Sequence, residues 1–311
     1  MTKEIREVYG EALVKYGKDD KRIVVLDADV CGSTKSCIFR DACPDRFFNV
    51  GIAEANMTAM AGGFAASGKI PFVNTFAVFL TSIGLISARA FGSYSGLPIK
   101  LMGAYSGLSD AFDGPSHHAL EDIAIMRSLA NFKVYVAGDA VQTDWLVKHA
   151  IEDASPMYIR LSRNAFKDIY APDETFTDGK AKVVREGKDA AIIACGAMIG
   201  YALDAADLLA KEGIETRVVD MFCVKPLDRA AVVDAAAQCG AIVTAEEHNV
   251  IGGLGGAVCE VLCQENAACP VSFVGMDDTH AECGPYDNLM QKYGLNAEAI
   301  AKAVRQTVAK K

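Results

Sequence analysis

The most informative segment of the chain is Phe47–Phe79, FFNVGIAEANMTAMAGGFAASGKIPFVNTFAVF. A single carboxylate, Glu54, stands in an otherwise uncharged run from Val50 to Ser67. Burying a carboxylate is costly unless it has a partner, and the small residues that follow it let a backbone or a flat ligand approach the predicted helix closely. The strand-like run after the helix then supplies Phe76 and Phe79. A planar, nitrogen-containing heterocycle would fit a site that combines a buried carboxylate, a helix with small side chains and two aromatic rings.

The chain alternates short apolar runs with helical patterns, which is typical of an α/β fold. The segment Ile5–Tyr16 has helical spacing, and the run IVVLDAD after it predicts a buried parallel strand that ends at Asp27 and Asp29. Ligands of open α/β sheets bind at the carboxyl ends of strands, so this end is a candidate edge of a site. A polar segment at residues 164–188 breaks the alternation, and a smaller alternating unit follows. We therefore expect two α/β domains and an interdomain linker, at residues 1–170, 186–311 and 171–185.

The composition limits the class of protein. A chain of 311 residues with 51% hydrophobic and 23% charged residues is large enough for two cores. Its net charge of -9 argues against nucleic acid and anionic membrane surfaces as partners, because both need clustered Lys and Arg. The charged N-terminal segment and the lack of an apolar run of ~18 residues predict a cytoplasmic protein. The ten cysteines include no CxxC pair, and we interpret them as small core residues or incidental thiols rather than as a disulfide framework or a zinc site.

A second candidate site lies in the long loop that contains DGPSHH, residues 113–118. Gly114 and Pro115 form a turn that can hold the neighbouring side chains at fixed angles. The imidazole of a histidine such as His117 can donate to or accept from substrate hydroxyl groups. Loops of this length between a strand and a helix are often functional.

The motifs VGIAEANM, GKIPFVNTFAVFL and DGPSHH, in this order, make the chain similar to the pyrimidine-binding half of transketolases, which use thiamine diphosphate. The resemblance runs from about Thr2 to the C-terminus. It implies a pyrimidine-binding domain followed by a smaller transketolase C-terminal domain. It further implies that Glu54 hydrogen-bonds the N1′ atom of the aminopyrimidine, and that Phe76 and Phe79 pack against this ring. Asp29 corresponds to an aspartate near the cofactor, with helix capping as a competing role.

The resemblance also assigns the substrate residues. His117, which with Glu54 would be catalytic, and Asp113 match residues that line the sugar channel. Arg163 matches an arginine that grips the phosphate of the sugar, and the planar fork of arginine suits such an oxyanion. Arg6 and Ser33 match other residues at the same end of the channel.

Two positions depart from the family pattern. Tyr105 stands where a histidine is common, eight residues before Asp113, and Ser82 stands where many relatives have a third aromatic residue.

The chain contains no GDG motif, which in the family begins the diphosphate and metal site. It resembles the second half of a full-length transketolase, and therefore the C-terminal subunit of a split transketolase. The resemblance implies that the ligands of Mg²⁺ or another divalent cation lie on an N-terminal partner subunit and none on this chain, in a dimer of heterodimers. The implied reaction transfers a two-carbon ketol unit from a ketose, with a sugar phosphate favoured, to an aldose.

Two alternatives to a transketolase subunit stay open at this point. The motif VGIAE would also fit the beta subunit of a 2-oxoacid dehydrogenase, although DGPSHH has no obvious role with a small oxoacid. A non-catalytic binding or scaffold subunit could keep the same fold. The presence of Glu54, Asp113 and His117 argues against that second alternative.

Overall fold

A computed structural model describes residues 3–311 of the chain. Apolar runs rich in Val, Ile and Phe form the strands, because such residues fill both faces of a covered parallel sheet. The strands of the first domain are β1 (Ile23–Asp27), β2 (Phe47–Asn49), β3 (Ile70–Phe76), β4 (Lys100–Ala104), β5 (Lys133–Val136) and β6 (Met157–Arg160). Its α-helices are α1 (Ile5–Gly17), α2 (Cys31–Thr34), α3 (Cys37–Ala42), α4 (Glu54–Ala66), α5 (Ala77–Thr81), α6 (Leu85–Ser87), α7 (Asp122–Ser128) and α8 (Ala140–Glu152). Shorter 3₁₀ turns and a π-helix occupy Pro44–Arg46, Gly114–Ser116 and Ala88–Tyr94.

The second domain repeats the alternation on a smaller scale. Its strands are β7 (Lys182–Arg185), β8 (Ala190–Ala194), β9 (Thr216–Asp220), β10 (Cys223–Lys225), β11 (Ile242–Asn249) and β12 (Val271–Met276). Its helices are α9 (Met198–Ala210), α10 (Arg229–Cys239), α11 (Leu254–Gln264), α12 (Tyr286–Lys292) and α13 (Ala297–Val308). The expected order of a larger and a smaller α/β domain is confirmed.

The first sheet has seven strands in the order β10-β5-β6-β4-β3-β1-β2. All of its neighbours pair in parallel except β10, which comes from the second domain and runs antiparallel to β5. The interior strand β3 is buried at every residue. Because the parallel strands point the same way, the carboxyl ends of β1, β3, β4 and β6 meet at one edge of the sheet.

The second sheet has the order β12-β11-β8-β9-β7, and its edge strand β7 pairs antiparallel with β9. The predicted linker, residues 171–185, therefore contains a strand of this sheet, while the boundaries at 170 and 186 stay predictions. One buried apolar cluster contains residues of both domains, among them Leu26, Val134, Met221 and Leu254. Within residues 3–311, no helix has the length and apolar character needed to cross a membrane.

Candidate functional site

Glu54 is the first residue of α4 and is only 5% exposed. Within residues 3–311, its carboxylate has one hydrogen bond, from Thr75 Oγ1 to Oε1 at 3.4 Å, and no cationic partner. This distance is long for a hydroxyl donor. The unpaired N–H groups and the positive end of the helix dipole make the first turn of α4 tolerant of a negative charge. The site therefore contains a buried carboxyl group that can still bind a hydrogen-bonding ligand.

Four rings cluster at the end of β3, next to Thr75. Phe76 lies 6.0 Å from Phe79 and 4.7 Å from Tyr105, measured between ring centroids. The imidazole of His117 lies 5.2 Å from the ring of Phe79 and 5.8 Å from that of Phe76. Ser82 is exposed and its hydroxyl donates to the carbonyl of Val78, so the third aromatic ring of this cluster comes from Tyr105 instead.

The residues at this edge fit the pyrimidine end of thiamine diphosphate. Glu54 offers a buried carboxyl group with little internal hydrogen bonding, as a ring nitrogen requires, and Phe76 and Phe79 offer apolar faces for the ring. Thr75 contacts Glu54 and directly precedes Phe76, so the carboxyl group and the rings belong to one site.

The loop between β4 and α7 brings His117 and Asp113 together with an acid that the sequence did not predict, Asp110. Donor atoms of these three side chains lie within 4.8 Å of one another. Asp110 is 1% exposed, and neither of its carboxylate oxygens has a hydrogen-bond partner within the described residues. Burial, and secondarily Asp113, raises the pKa of the Asp110 carboxyl to about 6. The only signal for it in the sequence was an acid three positions before Asp113.

Tyr105 lies between the predicted anion-binding residues. Arg6 Nη1 donates to the Tyr105 hydroxyl at 2.5 Å and to the carbonyl oxygen of Ser33 at 3.1 Å. The guanidinium carbons of Arg6 and Arg163 each lie 5.3 Å from the centroid of the Tyr105 ring, within the range of cation–π contacts. Arg6, Ser33 and Arg163 thus converge on the position where the sequence departs from the family pattern.

Asp29 follows β1 at the same edge of the sheet. It is exposed, has a left-handed backbone with φ 67°, and accepts a hydrogen bond from Asn49 Nδ2 at 2.7 Å. Helix α2 begins after Val30 without a side-chain cap, so the helix-capping alternative for Asp29 is wrong. A role near the cofactor stays a prediction.

The second domain holds the loop that carries Asp113 and His117. Glu247, at the end of β11, accepts the backbone N–H of Leu108 at 2.7 Å. Gly107 has φ 62°, and a Cβ there would lie 2.3 Å from Glu247 Oε1, so only glycine fits this approach. Arg160 donates to the carbonyl oxygens of Ala119 and Glu247 at 2.9 and 2.7 Å. Sequence reasoning missed Glu247, because 139 residues separate it from its partner Leu108.

The pKa of Glu247 predicts a pH-dependent stability. Burial raises this pKa from the ordinary value of 4.5 to about 7. Between these values the folded chain keeps a proton that the unfolded chain has lost, so the free energy of unfolding falls as pH rises, by at most ~1.4 kcal/mol per pH unit. Glu247→Gln keeps an oxygen that can accept from Leu108, and should flatten this slope.

Thermal unfolding of the chain and the Glu247→Gln variant, from about pH 5 to pH 8, measures the difference. The pKa of Asp220 is also raised by burial to about 7. Since Asp220 is present in both proteins, it does not contribute to the difference between them. Parallel pH profiles of the two proteins would contradict the assignment to Glu247.

Comparison with known proteins gives a consistent set of relatives. The pyrimidine-binding domain model of transketolases matches residues 2–168, and the transketolase C-terminal domain model matches residues 179–300. A putative transketolase C-terminal section of Methanocaldococcus jannaschii is 37% identical over 310 residues, covering 99% of this chain and 97% of that protein. The 6-deoxy-6-sulfo-D-fructose transketolase subunit SqwH of a Clostridium species is 38% identical over 307 residues, covering 99% and 95%. A solved structure of a split gene transketolase, an inactive beta4 tetramer, aligns with a TM-score of 0.91 and 46% identity over 98% of each chain.

Proposed function

The chain belongs to the transketolase family, as a counterpart of its C-terminal section, and from this premise we propose that it transfers a two-carbon ketol unit from a ketose to an aldose as one subunit of a two-chain enzyme. The observation that carries the proposal is the buried Glu54 carboxyl group beside the ring cluster of Phe76, Phe79 and His117. A scaffold subunit would have no need for a buried, nearly unpaired carboxylate. The family assignment also favours ketol transfer over the chemistry of a 2-oxoacid dehydrogenase.

When bound, thiamine diphosphate would supply the nucleophile that attacks the carbonyl group of the ketose. Glu54 would hold a proton between its carboxylate and N1′ of the aminopyrimidine, a task that needs an acid in a water-poor site. Phe76 and Phe79 would bind the faces of the pyrimidine and exclude water from it. Asp29, at the same edge of the sheet, would lie near the cofactor.

His117 and Asp113 would orient the sugar. The imidazole of His117 contacts the ring cluster on one side, and its Nδ1 lies 2.9 Å from the hydroxyl oxygen of Ser116 on the other. This contact fixes the ring and leaves Nε2 for a substrate hydroxyl. Asp113 is exposed, and its carboxylate can accept a hydrogen bond from a second hydroxyl group of the sugar.

The partner of this chain would be an N-terminal transketolase subunit that binds the diphosphate and its divalent cation, most simply in a dimer of heterodimers. Ile52 and Ile86 are 81% and 83% exposed. The Ser87 hydroxyl donates to the carbonyl of Ala55 at 3.2 Å, which places α6, the helix of Ile86, beside the first turn of α4. Ile52 precedes Glu54 by two residues, so a subunit that buried these isoleucines could complete the cofactor site. The two exposed isoleucines and the names of the relatives support this partner.

The direct test mixes the chain with its N-terminal counterpart, thiamine diphosphate and Mg²⁺, and supplies a panel of ketose donors with an aldose acceptor. Ketol transfer is followed by the appearance of the shortened aldose and the lengthened ketose. Transfer that requires both chains and the cofactor supports the proposal. Decarboxylation of a 2-oxoacid by the same mixture, without ketol transfer, would contradict it.

Arg163→Ala should separate anionic from neutral donors. The side chain of Arg163 is 38% exposed and its guanidinium makes no hydrogen bond within the described residues, so it is available to an anion. Loss of one charged hydrogen bond costs roughly 1.5–3 kcal/mol, or about one to two powers of ten in kcat/KM. We expect this loss for phosphorylated or sulfonated ketoses and almost none for a neutral hydroxyketone.

The matched control for Arg163→Ala is Arg229→Ala, at an exposed arginine of the second domain that pairs with Glu265. The control should leave kcat/KM unchanged for both kinds of donor. An equal decrease for anionic and neutral donors in Arg163→Ala would mean that Arg163 is a structural residue.

A further inference from the structure

We propose that the far end of the substrate site selects a terminal monoanion, of the sulfonate class, over a phosphate dianion, and that Tyr105 is the residue that sets this preference. The inference rests on the proposed function, because it identifies the donor of the same site. It follows from the charges and the free hydrogen-bond donors around Tyr105.

Each arginine at this end already has an acidic neighbour. Glu4 Oε2 lies 2.9 Å from Arg6 Nε and 2.8 Å from Arg6 Nη2. An oxygen of the buried Asp110 lies 3.9 Å from Arg163 Nη1. The two cations and two carboxylates sum to a formal charge of zero. A dianion would leave this half-buried region with two uncompensated negative charges, whereas a monoanion would leave one.

The donors of Arg6 are largely used inside the protein. Its Nε and Nη2 bond Glu4, and its Nη1 bonds the Ser33 carbonyl and the Tyr105 hydroxyl. The Tyr105 oxygen accepts from Arg6, so its own proton remains available for a ligand. The donors that stay free for a ligand include the Tyr105 O–H and the guanidinium of Arg163, and these suit the oxygens of a singly charged tetrahedral group.

Tyr105 is fixed in this position. It is 5% exposed, packs 4.7 Å from Phe76 and has a left-handed backbone with φ 56°. This conformation is unfavourable for a bulky residue and persists only where the surroundings impose it. A phenol placed between two arginines donates a hydrogen bond without adding positive charge, whereas an imidazole at the same place could add one. The residue type at position 105 thus sets the charge that the pocket can neutralise.

The test compares three ketoses that differ only at C6, as donors for the assembled two-chain enzyme: 6-deoxy-6-sulfofructose, fructose 6-phosphate and fructose. At about pH 7.5 a phosphate monoester is mostly a dianion, and a sulfonate is a monoanion. We expect kcat/KM for the sulfonate to exceed that for the phosphate about tenfold or more, the change that one weakened charged contact brings. Methanesulfonate should likewise inhibit more strongly than methyl phosphate, which reports binding separately from turnover.

Two substitutions that make the net charge of this pocket more positive should weaken this preference. Tyr105→His and Asp110→Asn should each raise the phosphate-to-sulfonate ratio of kcat/KM by about tenfold. Tyr105→Phe should lower kcat/KM for both anionic donors by a larger factor than for fructose, whereas a merely structural role would lower all three equally. Asp207→Asn, the same charge change on the exposed face of α9, is the control and should not alter the ratio.

The outcomes separate the two proposals. Ketol transfer with the phosphate preferred would overturn this inference and leave the proposed function intact. So would a phosphate-to-sulfonate ratio of kcat/KM that does not change in Tyr105→His and Asp110→Asn. No turnover of any of the three ketoses, in an assembled and cofactor-loaded enzyme, would overturn both. A preference for the sulfonate in the parent enzyme, together with a higher phosphate-to-sulfonate ratio of kcat/KM in Tyr105→His and in Asp110→Asn, would support the inference.

Discussion

Glu54→Gln is expected to abolish most ketol transfer by the assembled enzyme, with kcat reduced roughly 10²–10⁴-fold. Glutamine keeps the size of the side chain but cannot hold a proton between itself and N1′ of the aminopyrimidine. Because the Glu54 carboxylate makes only one long hydrogen bond within residues 3–311, its replacement should leave the fold nearly unchanged. Steady-state kinetics and the exchange of the C2 proton of the bound cofactor should both show the loss.

The control for Glu54→Gln is Glu11→Gln on the exposed face of α1, where the carboxylate pairs with Lys3 at the surface. This variant should keep wild-type rates. Thermal unfolding of both variants should stay close to that of the parent chain. Near-normal C2 exchange in an assembled Glu54→Gln enzyme would contradict the assignment of Glu54.

The second large effect concerns assembly. The chain alone should neither bind thiamine diphosphate tightly nor turn over ketoses, because its sequence has no GDG motif for the diphosphate and metal. Activity should appear on addition of the N-terminal subunit and rise with its concentration to a stoichiometric endpoint. Robust ketol transfer by the purified chain would refute this expectation.

A substitution at Ile86, one of the two exposed isoleucines on the segments around Glu54, tests whether the partner binds at this surface. Ile86→Asp places a charge on a side chain that is 83% exposed, so it should not destabilise the isolated chain. If the N-terminal subunit covers this surface, burial of the new charge should block assembly and remove activity. Ile86→Leu keeps an apolar side chain and should assemble normally. Normal assembly of Ile86→Asp would place the interface elsewhere.

Local patterns were sufficient to predict the architecture and the burial of Glu54. Apolar runs such as IVVLD and the small-residue helix after Glu54 have periodicities that do not depend on distant contacts. The carboxylate was predicted to be buried because no charged residue accompanies it from Val50 to Ser67, and its 5% exposure confirms this. The clustering of Phe76 and Phe79 also follows from local order, since Phe76 ends β3 and Phe79 lies three residues later in α5, where the sequence had suggested that the strand continues.

Contacts between distant parts of the chain could not be predicted in this way. The hydrogen bond from Arg6 to Tyr105 joins residues 99 positions apart, and the bond from Leu108 to Glu247 spans the two domains. Within the described residues the Asp110 carboxylate accepts no hydrogen bond, which depends on what the fold places around it, and no periodicity in a single sequence encodes that. The departure at Tyr105 was visible, but its consequence for charge required the positions of Glu4 and Arg163.

Strand β10 follows the linker in the sequence but pairs with β5 in the first sheet, so the two domains are not separate units in the folded protein. Residues 223–225 close the edge of the first sheet at β5, and the apolar cluster that includes Leu26 and Leu254 continues through both halves. A chain cut within residues 171–185 would expose an unpaired strand edge and part of this cluster, a combination that promotes aggregation. Chimaeras between relatives therefore need to exchange β10 together with the pyrimidine-binding half, although some fifty residues separate the two in the sequence.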